Sequence, residues 1–100
     1  DALMSRGLGD VYKRQALFRI AFCFEKKYDF ENSLNYYYKC VNNDPNMDKA
    51  FFRLSMFYYR EKKFKRAIEY IEKAIKLNQE KSKYWKIYLN CLSKTSTKNY

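Results

Sequence analysis

The chain repeats its own pattern of apolar residues at a fixed period of 34 positions. When residues 17–45 are moved forward by 34 positions, apolar residues fall on apolar or small residues nearly throughout. The matched pairs are Leu17/Phe51, Ile20/Leu54, Ala21/Ser55, Phe24/Tyr58, Phe30/Phe64, Leu34/Ile68, Tyr37/Ile71, Cys40/Ala74 and Val41/Ile75, and a second move matches Phe51/Trp85, Leu54/Tyr88 and Tyr58/Leu92. A period of this length indicates a stack of similar structural units.

Each unit is predicted to be helical. Inside a copy, the apolar residues are spaced three and four positions apart, as they are along one face of an α-helix. No glycine follows Gly9, and Pro45 is the only proline. The tight turns of a β meander usually require glycine, so a β fold is disfavoured. The pattern predicts an all-α fold with helices over residues 16–27, 31–43, 48–61, 65–77 and 82–93.

The spacing resembles the signature of the tetratricopeptide repeat, a helix–turn–helix unit with the pattern W-x2-L-G-x2-Y, then A-x3-F, then P. The first copy reads Leu17-x2-Ile20-Ala21-x2-Phe24, Ser33-x3-Tyr37 and Pro45. The second reads Phe51-x2-Leu54-Ser55-x2-Tyr58 and Ala67-x3-Ile71, without a closing proline. The third opens as Trp85-x2-Tyr88 and has Leu89 where a small residue is expected.

The resemblance implies a right-handed α-solenoid of about two and a half helix–turn–helix repeats. Residues 16–47 form repeat 1, residues 48–81 form repeat 2, and residues 82–93 form either the first helix of repeat 3 or a capping helix. Residues 94–100 are expected to be a frayed tail. Leu89 is bulky for a close helix contact, so the last helix is expected to pack differently from the others.

Residues 1–15 are interpreted as foreign to the natural protein. The stretch SRGLGDVYKRQ, residues 5–15, resembles the translation of the DNA adapter that transposase-based sequencing kits attach. It does not fit a dinucleotide-binding loop, because Tyr12 stands where the third glycine is required. Such additions are set aside before a fold is inferred. On this interpretation, the remainder is an internal fragment of a longer protein.

The sequence offers little for catalysis or metal binding. Histidine is absent, and the three cysteines, Cys23, Cys40 and Cys91, form no C-x-x-C pair, so we expect no metal site and no cofactor. No nucleophile–base arrangement is recognisable, so the chain is not expected to be an enzyme. Each cysteine lies in an apolar helical stretch and is expected to be buried, which favours a reducing intracellular compartment. No apolar run reaches the length of a membrane span.

The resemblance also implies a function. In this family the first helix of each repeat lines a concave groove that binds peptides or segments of other proteins. Helical geometry gives the candidate groove residues Phe18, Arg19, Phe22, Phe52, Arg53, Met56, Tyr59, Arg60, Lys86 and Asn90, and Lys49 is added because it forms a Lys-x-x-x-Arg pair with Arg53. Aromatic and arginine side chains dominate the binding energy of many interfaces. The expected partner is a protein or peptide, and the arginine and lysine residues favour an acidic one. The alternative is that these residues form ordinary solvated helix surface.

Two other functions remain open. The net charge is +10, and the stretch REKKFKRAIEY at 60–70 is the most basic part of the chain. A nuclear or RNA-associated helical-repeat module using this basic surface is therefore an alternative, with a simple charged helix turn as the plainer interpretation. A chaperone-tail-binding carboxylate clamp is the second alternative. Lys49 and Arg53 supply its Lys-x-x-x-Arg pair, but Phe22 and Arg19 stand where its asparagines would fall.

Overall fold

The structure, a computed structural model, describes the backbone of residues 8–96 and the side chains of residues 12–95. These residues form five α-helices, which confirms the predicted all-α class: α1 (Leu8–Lys26), α2 (Phe30–Asn43), α3 (Asp48–Arg60), α4 (Phe64–Leu77) and α5 (Ser82–Ser96). The chain divides into two compact units, one with α1 and α2 and one with α3, α4 and α5. Residues 1–7 of the predicted foreign segment and residues 97–100 of the predicted tail lie outside the described residues.

The helix bounds agree with the prediction to within one residue, except at the start of α1 and the end of α5. Helix α1 begins at Leu8, whereas the prediction began at residue 16. A formed helix extends at low cost through good helix formers such as Lys13, Arg14 and Gln15. A helix can extend through natural and foreign residues alike. The assignment of residues 1–15 to an adapter therefore stays a prediction. Helix α5 runs to Ser96, three residues beyond the predicted end at residue 93.

The two helical hairpins use the same turn. Tyr28 and Lys62, which are 34 positions apart, both have a φ of 62°, in the left-handed region. After α1, the amide of Asp29 donates to the Phe24 carbonyl at 2.9 Å. After α3, the amide of Lys63 donates to the Tyr58 carbonyl, also at 2.9 Å. This six-to-one bond around a left-handed residue is the Schellman motif, and it satisfies carbonyls left unpaired at a helix end.

The residue after each left-handed residue is the N-cap of the next helix. The two hairpins differ in the residue type at this position. Asp29 is the N-cap of α2, and its Oδ1 accepts a hydrogen bond from the Asn32 amide at 3.3 Å. Lys63 is the N-cap of α4 and makes no side-chain cap. A lysine side chain has no acceptor with which to satisfy the free amides of a helix N-terminus. The second hairpin therefore lacks a stabilising contact that the first one has.

Small residues bring α1 and α2 together in the first unit. Ala21 is 0 % exposed, and its carbonyl accepts a 2.9 Å hydrogen bond from the hydroxyl of Ser33 on α2. Tyr37 is also buried, and its hydroxyl donates to Glu25 Oε1 at 2.7 Å. A serine at this close contact is tolerated because its hydroxyl has a partner. The first hairpin thus pairs two small residues, Ala21 and Ser33, across its two helices.

The second unit has the larger core. Its fully buried residues include Leu54 and Ser55 on α3 and Ala67, Ile71 and Ala74 on α4. Aromatic rings contribute to this core, since Tyr58 stacks on Tyr70 with ring centroids 5.7 Å apart. The Ser55 hydroxyl donates to the Phe52 carbonyl of its own helix at 2.7 Å, so it too is satisfied.

Helix α5 packs on α4 and α3 through Tyr84 and Cys91, which are 1 % and 0 % exposed. Leu89 is 61 % exposed. Its position corresponds to Ala21 and Ser55, which in their own hairpins face the next helix. In the described part of the chain no helix follows α5, so a bulky leucine is accommodated there without a clash.

The cysteine prediction is correct for two residues and wrong for one. Cys40 and Cys91 are buried, whereas Cys23 is exposed. Cys23 lies two positions after the buried Ala21, which places it on the opposite side of α1. Within its unit α1 packs against α2 alone, so only one face of α1 is covered, and Ile20 also stays 39 % exposed. Burial raises the pKa of the Cys40 thiol to about 11 and also raises the pKa of Cys91.

Candidate functional site

Four of the predicted groove residues form one stripe along α3. Lys49, Arg53, Met56 and Arg60 follow one another at spacings of four, three and four positions, which places them on the same face of the helix. Lys49 and Arg60 are exposed, and Arg53 and Met56 are half-buried. The stripe thus offers three long basic side chains around one thioether, which is an adaptable apolar contact.

Phe52, another predicted groove residue, is packed into the protein. It is 8 % exposed, and its ring lies against that of Tyr84 on α5, with centroids 4.9 Å apart. Little of its surface is left for a ligand, so its main contribution is to hold α3 and α5 together. Tyr59 is half-buried and packs edge-on against Phe64, with ring centroids 5.7 Å apart.

Two basic side chains from two helices approach the Phe52 ring. The Cζ of Arg53 lies 5.8 Å from the ring centroid, and the Nζ of Lys83 on α5 lies 5.0 Å from it. Cations at such distances from an aromatic face are held by the negative charge of the π system. The arrangement brings positive charge from α3 and α5 to one place on the second unit.

Lys83 was missed as a candidate, although the repeat contains a signal for it. It stands 34 positions after Lys49, at the same place in the following repeat. Lys83, Lys86 and Asn90 are exposed and follow one another at spacings of three and four positions, so they form one stripe along α5. The predicted residues of α5 therefore lie beside each other, and Lys83 extends them toward α3.

The three candidates on α1 belong to the first unit. Phe18 is half-buried and packs edge-on against Tyr37, with centroids 5.6 Å apart. Phe22 is half-buried under the Nζ of Lys26, which lies 5.1 Å from its ring centroid. Arg19 is exposed. Both phenylalanines therefore have intramolecular contacts that limit the surface they present to a ligand.

The Tyr84 hydroxyl, on α5, reaches the first residue of α3. It donates a 2.7 Å hydrogen bond to Asp48 Oδ2. Burial is the main cause that raises the pKa of Tyr84. The hydrogen bond to Asp48 and the negative charge of Asp48 add to this rise, and the positive charge of Arg53 opposes it. Tyr84 is therefore a neutral hydrogen-bond donor at physiological pH.

Among residues 12–95, no group of three or more cysteine, aspartate or glutamate residues is arranged to hold a metal ion. None of the helices between Leu8 and Ser96 is both long enough and apolar enough to cross a membrane.

Comparison with known proteins agrees with the repeat pattern. Residues 15–46 and residues 48–81 each match a family profile described as tetratricopeptide repeat. Among solved structures, the N-terminal domain of stress-induced protein-1 (STI-1) from C. elegans superposes with a TM-score of 0.76 at 22 % sequence identity. The superposition covers 87 % of this chain and 74 % of that one. No curated protein matches the sequence. At this identity the solved structure shows the fold, an all-α helical-repeat solenoid.

Proposed function

Because the chain belongs to the tetratricopeptide repeat family, whose fold is a protein-interaction scaffold, we propose that it binds an acidic segment of another protein. The proposed contact lies along the α3 and α5 stripes of the second unit. Its residues are Lys49, Arg53, Met56 and Arg60 on α3 and Lys83, Lys86 and Asn90 on α5, with Tyr59 at the edge. Phe18, Arg19 and Phe22 are the candidate contacts of the first unit.

One observation carries the acidic preference: Arg53 and Lys83 come from different helices and meet at the Phe52 ring. Phe52 is itself held by Tyr84, so both cations are placed on a fixed base. Hydrogen bonds between such cations and a carboxylate are stronger than those between neutral groups. Met56 provides an apolar contact nearby, so we expect the ligand to combine acidic and apolar residues.

The module is proposed to act by binding and without catalysis. The sequence has no histidine, and its buried thiols are held protonated by burial. A nucleophile needs an adjacent base or a lowered pKa, and neither Cys40 nor Cys91 has a lowered pKa.

The test is a selection from a random peptide library, followed by titration of the selected peptides with the full chain by fluorescence anisotropy. We expect enrichment of peptides that carry glutamate or aspartate beside an apolar residue. Substituting Arg53→Gln and Lys83→Gln together should weaken their binding by about tenfold or more, since each charged hydrogen bond is worth on the order of 1.5–3 kcal/mol. A peptide ending in Glu-Glu-Val-Asp tests the carboxylate-clamp alternative in the same assay.

The matched control removes the same amount of charge from α4. Lys73 on α4 lies over the Phe51 ring at 5.7 Å, as Lys83 lies over Phe52. The double substitution Lys73→Gln and Lys76→Gln should leave binding within a factor of about two. Equal losses in both double variants, or enriched peptides without acidic residues, would contradict the proposed site.

A further inference from the structure

The turn between α3 and α4 carries an unusual density of positive charge. Residues 60–66, which we name the basic corner, contain five basic residues and one acidic residue: Arg60, Glu61, Lys62, Lys63, Lys65 and Arg66. All six are exposed. The basic corner therefore has a net charge of 5 − 1 = +4, on seven consecutive residues.

The first hairpin provides an internal comparison. Its equivalent residues, 34 positions earlier, are 26–32, and they hold Lys26, Lys27, Asp29 and Glu31 as their charged residues. Their net charge is 2 − 2 = 0. Both turns have a left-handed residue at the equivalent position, Tyr28 in the first and Lys62 in the second, and both have the same Schellman hydrogen bonds. The turn can thus be built without excess positive charge.

Three of the added cations stand at the N-terminus of α4, where positive charge is unfavourable. Lys63 replaces the capping aspartate found in the first hairpin. Lys65 and Arg66 lie in the first turn of α4, which contains no acidic residue, although a helix N-terminus favours negative charge. Places where local rules are broken in this way are often functional sites.

The chemistry of the basic corner fits phosphate groups. Lysine and arginine side chains, together with the amides of a helix N-terminus, are the usual contacts to a nucleic acid backbone. The only aromatic residue of the corner, Phe64, is half-buried and packs edge-on against Tyr59, so the corner has no fully exposed aromatic ring on which a base could stack. None of the large exposed apolar side chains lies within residues 60–66, so the corner has no group to insert into a membrane.

We propose that the basic corner binds the phosphodiester backbone of a nucleic acid without reading its bases. Nucleic acid is favoured over an acidic protein because a duplex carries one negative charge per about 1.7 Å, which matches a dense and compact patch of cations. This site is separate from the α3 and α5 stripes, except for Arg60 at the end of α3. It does not depend on the proposed peptide binding.

The test measures binding of the full chain to a fluorescein-labelled RNA duplex of about 20 base pairs, over a range of salt concentrations. The test variant is Lys62→Gly combined with Lys63→Asn. It removes two positive charges and introduces the residue types that the turn and the N-cap prefer. We expect Kd to rise by about 10- to 100-fold and the slope of log K against log salt to fall by about two. We also expect the variant to unfold at a higher temperature than the wild type, which separates lost binding from lost folding.

The matched control is Lys26→Gln combined with Lys27→Gln, which removes two charges from the equivalent turn of the first unit. It should change Kd by no more than about threefold and leave the salt slope nearly unchanged. Equal losses in the two variants would mean that only net charge matters, and this would overturn the site. The site would also be overturned if vesicles of phosphatidylserine and phosphatidylcholine, or a polyglutamate peptide, bound more tightly than the duplex and lost binding in the test variant. A DNA duplex of the same length is expected to bind equally well.

Discussion

The hydroxyl of Tyr84 and the carboxylate of Asp48 are joined by a 2.7 Å hydrogen bond that ties the first turn of α5 to the first turn of α3. Tyr84 is 1 % exposed, and its ring also packs against Phe52. The side chain of Asn78, in the loop after α4, approaches the same oxygen at 3.5 Å. Asp48 thus holds together the beginning of α3, the end of α4 and the beginning of α5.

The first prediction concerns this bond. Tyr84→Phe should lower the free energy of unfolding by about 2 kcal/mol, because a hydrogen bond to a charged group is lost and the half-buried carboxylate keeps its desolvation cost. Urea unfolding followed by circular dichroism measures the change. Tyr88→Phe is the control, since the Tyr88 hydroxyl makes a longer, exposed bond of 3.3 Å to Glu72 and should matter less. A larger effect for Tyr88 would contradict the role assigned to Tyr84.

The second prediction concerns the two left-handed turn residues. Tyr28→Gly and Lys62→Gly should each raise the free energy of unfolding by about 0.5–1 kcal/mol, because glycine adopts a φ of 62° without a steric penalty. The residues lie in different units, so the two gains should add in the double variant. Thermal unfolding of the single and double variants measures this. Lys26→Gly, at the last residue of α1 before the turn, should be destabilising and serves as the control.

The third prediction concerns the two N-caps. Lys63→Asp should stabilise α4 by about 1 kcal/mol, since an aspartate can accept a bond from a free amide and complements the helix dipole. The reciprocal change, Asp29→Ala, should destabilise α2 by a similar amount. Chemical unfolding of both variants gives the two values. If Lys63→Asp were neutral while Asp29→Ala was costly, the two hairpins would not be equivalent at this position.

The fourth prediction concerns the cysteines. At pH 8 a disulfide reagent should label Cys23 rapidly, and Cys40 and Cys91 only as the protein unfolds, because both are buried and burial raises their pKa values. Mass spectrometry of the labelled peptides identifies the fast site. Rapid labelling of all three in the folded chain would disprove the packing described for α2 and α5.

The Cys40 thiol also makes stability depend on pH. Burial raises its pKa from 9.0 to about 11, so the folded state favours the neutral thiol. The associated stability is complete below pH 9 and is lost as the pH rises toward 11. Cys40→Ala, which introduces the residue found 34 positions later at Ala74, should show a smaller decrease over this range.

The positions of the helices could be predicted because the same pattern of apolar and small residues occurs twice in the chain. Ala21 and Ser55 mark the close contacts, Pro45 marks a repeat end, and apolar residues mark the buried faces. The start of α1 could not be predicted, because helix extension through Lys13 and Arg14 needs no buried face and therefore leaves no periodic pattern.

The candidate site was harder to predict than the fold. Helical spacing alone gives the direction of a side chain relative to the helix axis. It could not show that Phe52 packs against Tyr84, since that contact joins residues 32 positions apart in sequence. Whether the predicted residues bind a ligand stays a prediction.

Trp85 is the only tryptophan in the chain. Its indole nitrogen donates a 2.8 Å hydrogen bond to the Gln79 carbonyl, and the ring remains 41 % exposed. Its fluorescence is therefore an intrinsic optical reporter of the junction between α4 and α5, whereas the far-ultraviolet dichroism averages over all the helices. If α5 separates from the array before the rest unfolds, the emission will shift at a lower urea concentration than the dichroism. Coincident transitions would show that the last helix shares the cooperativity of its unit.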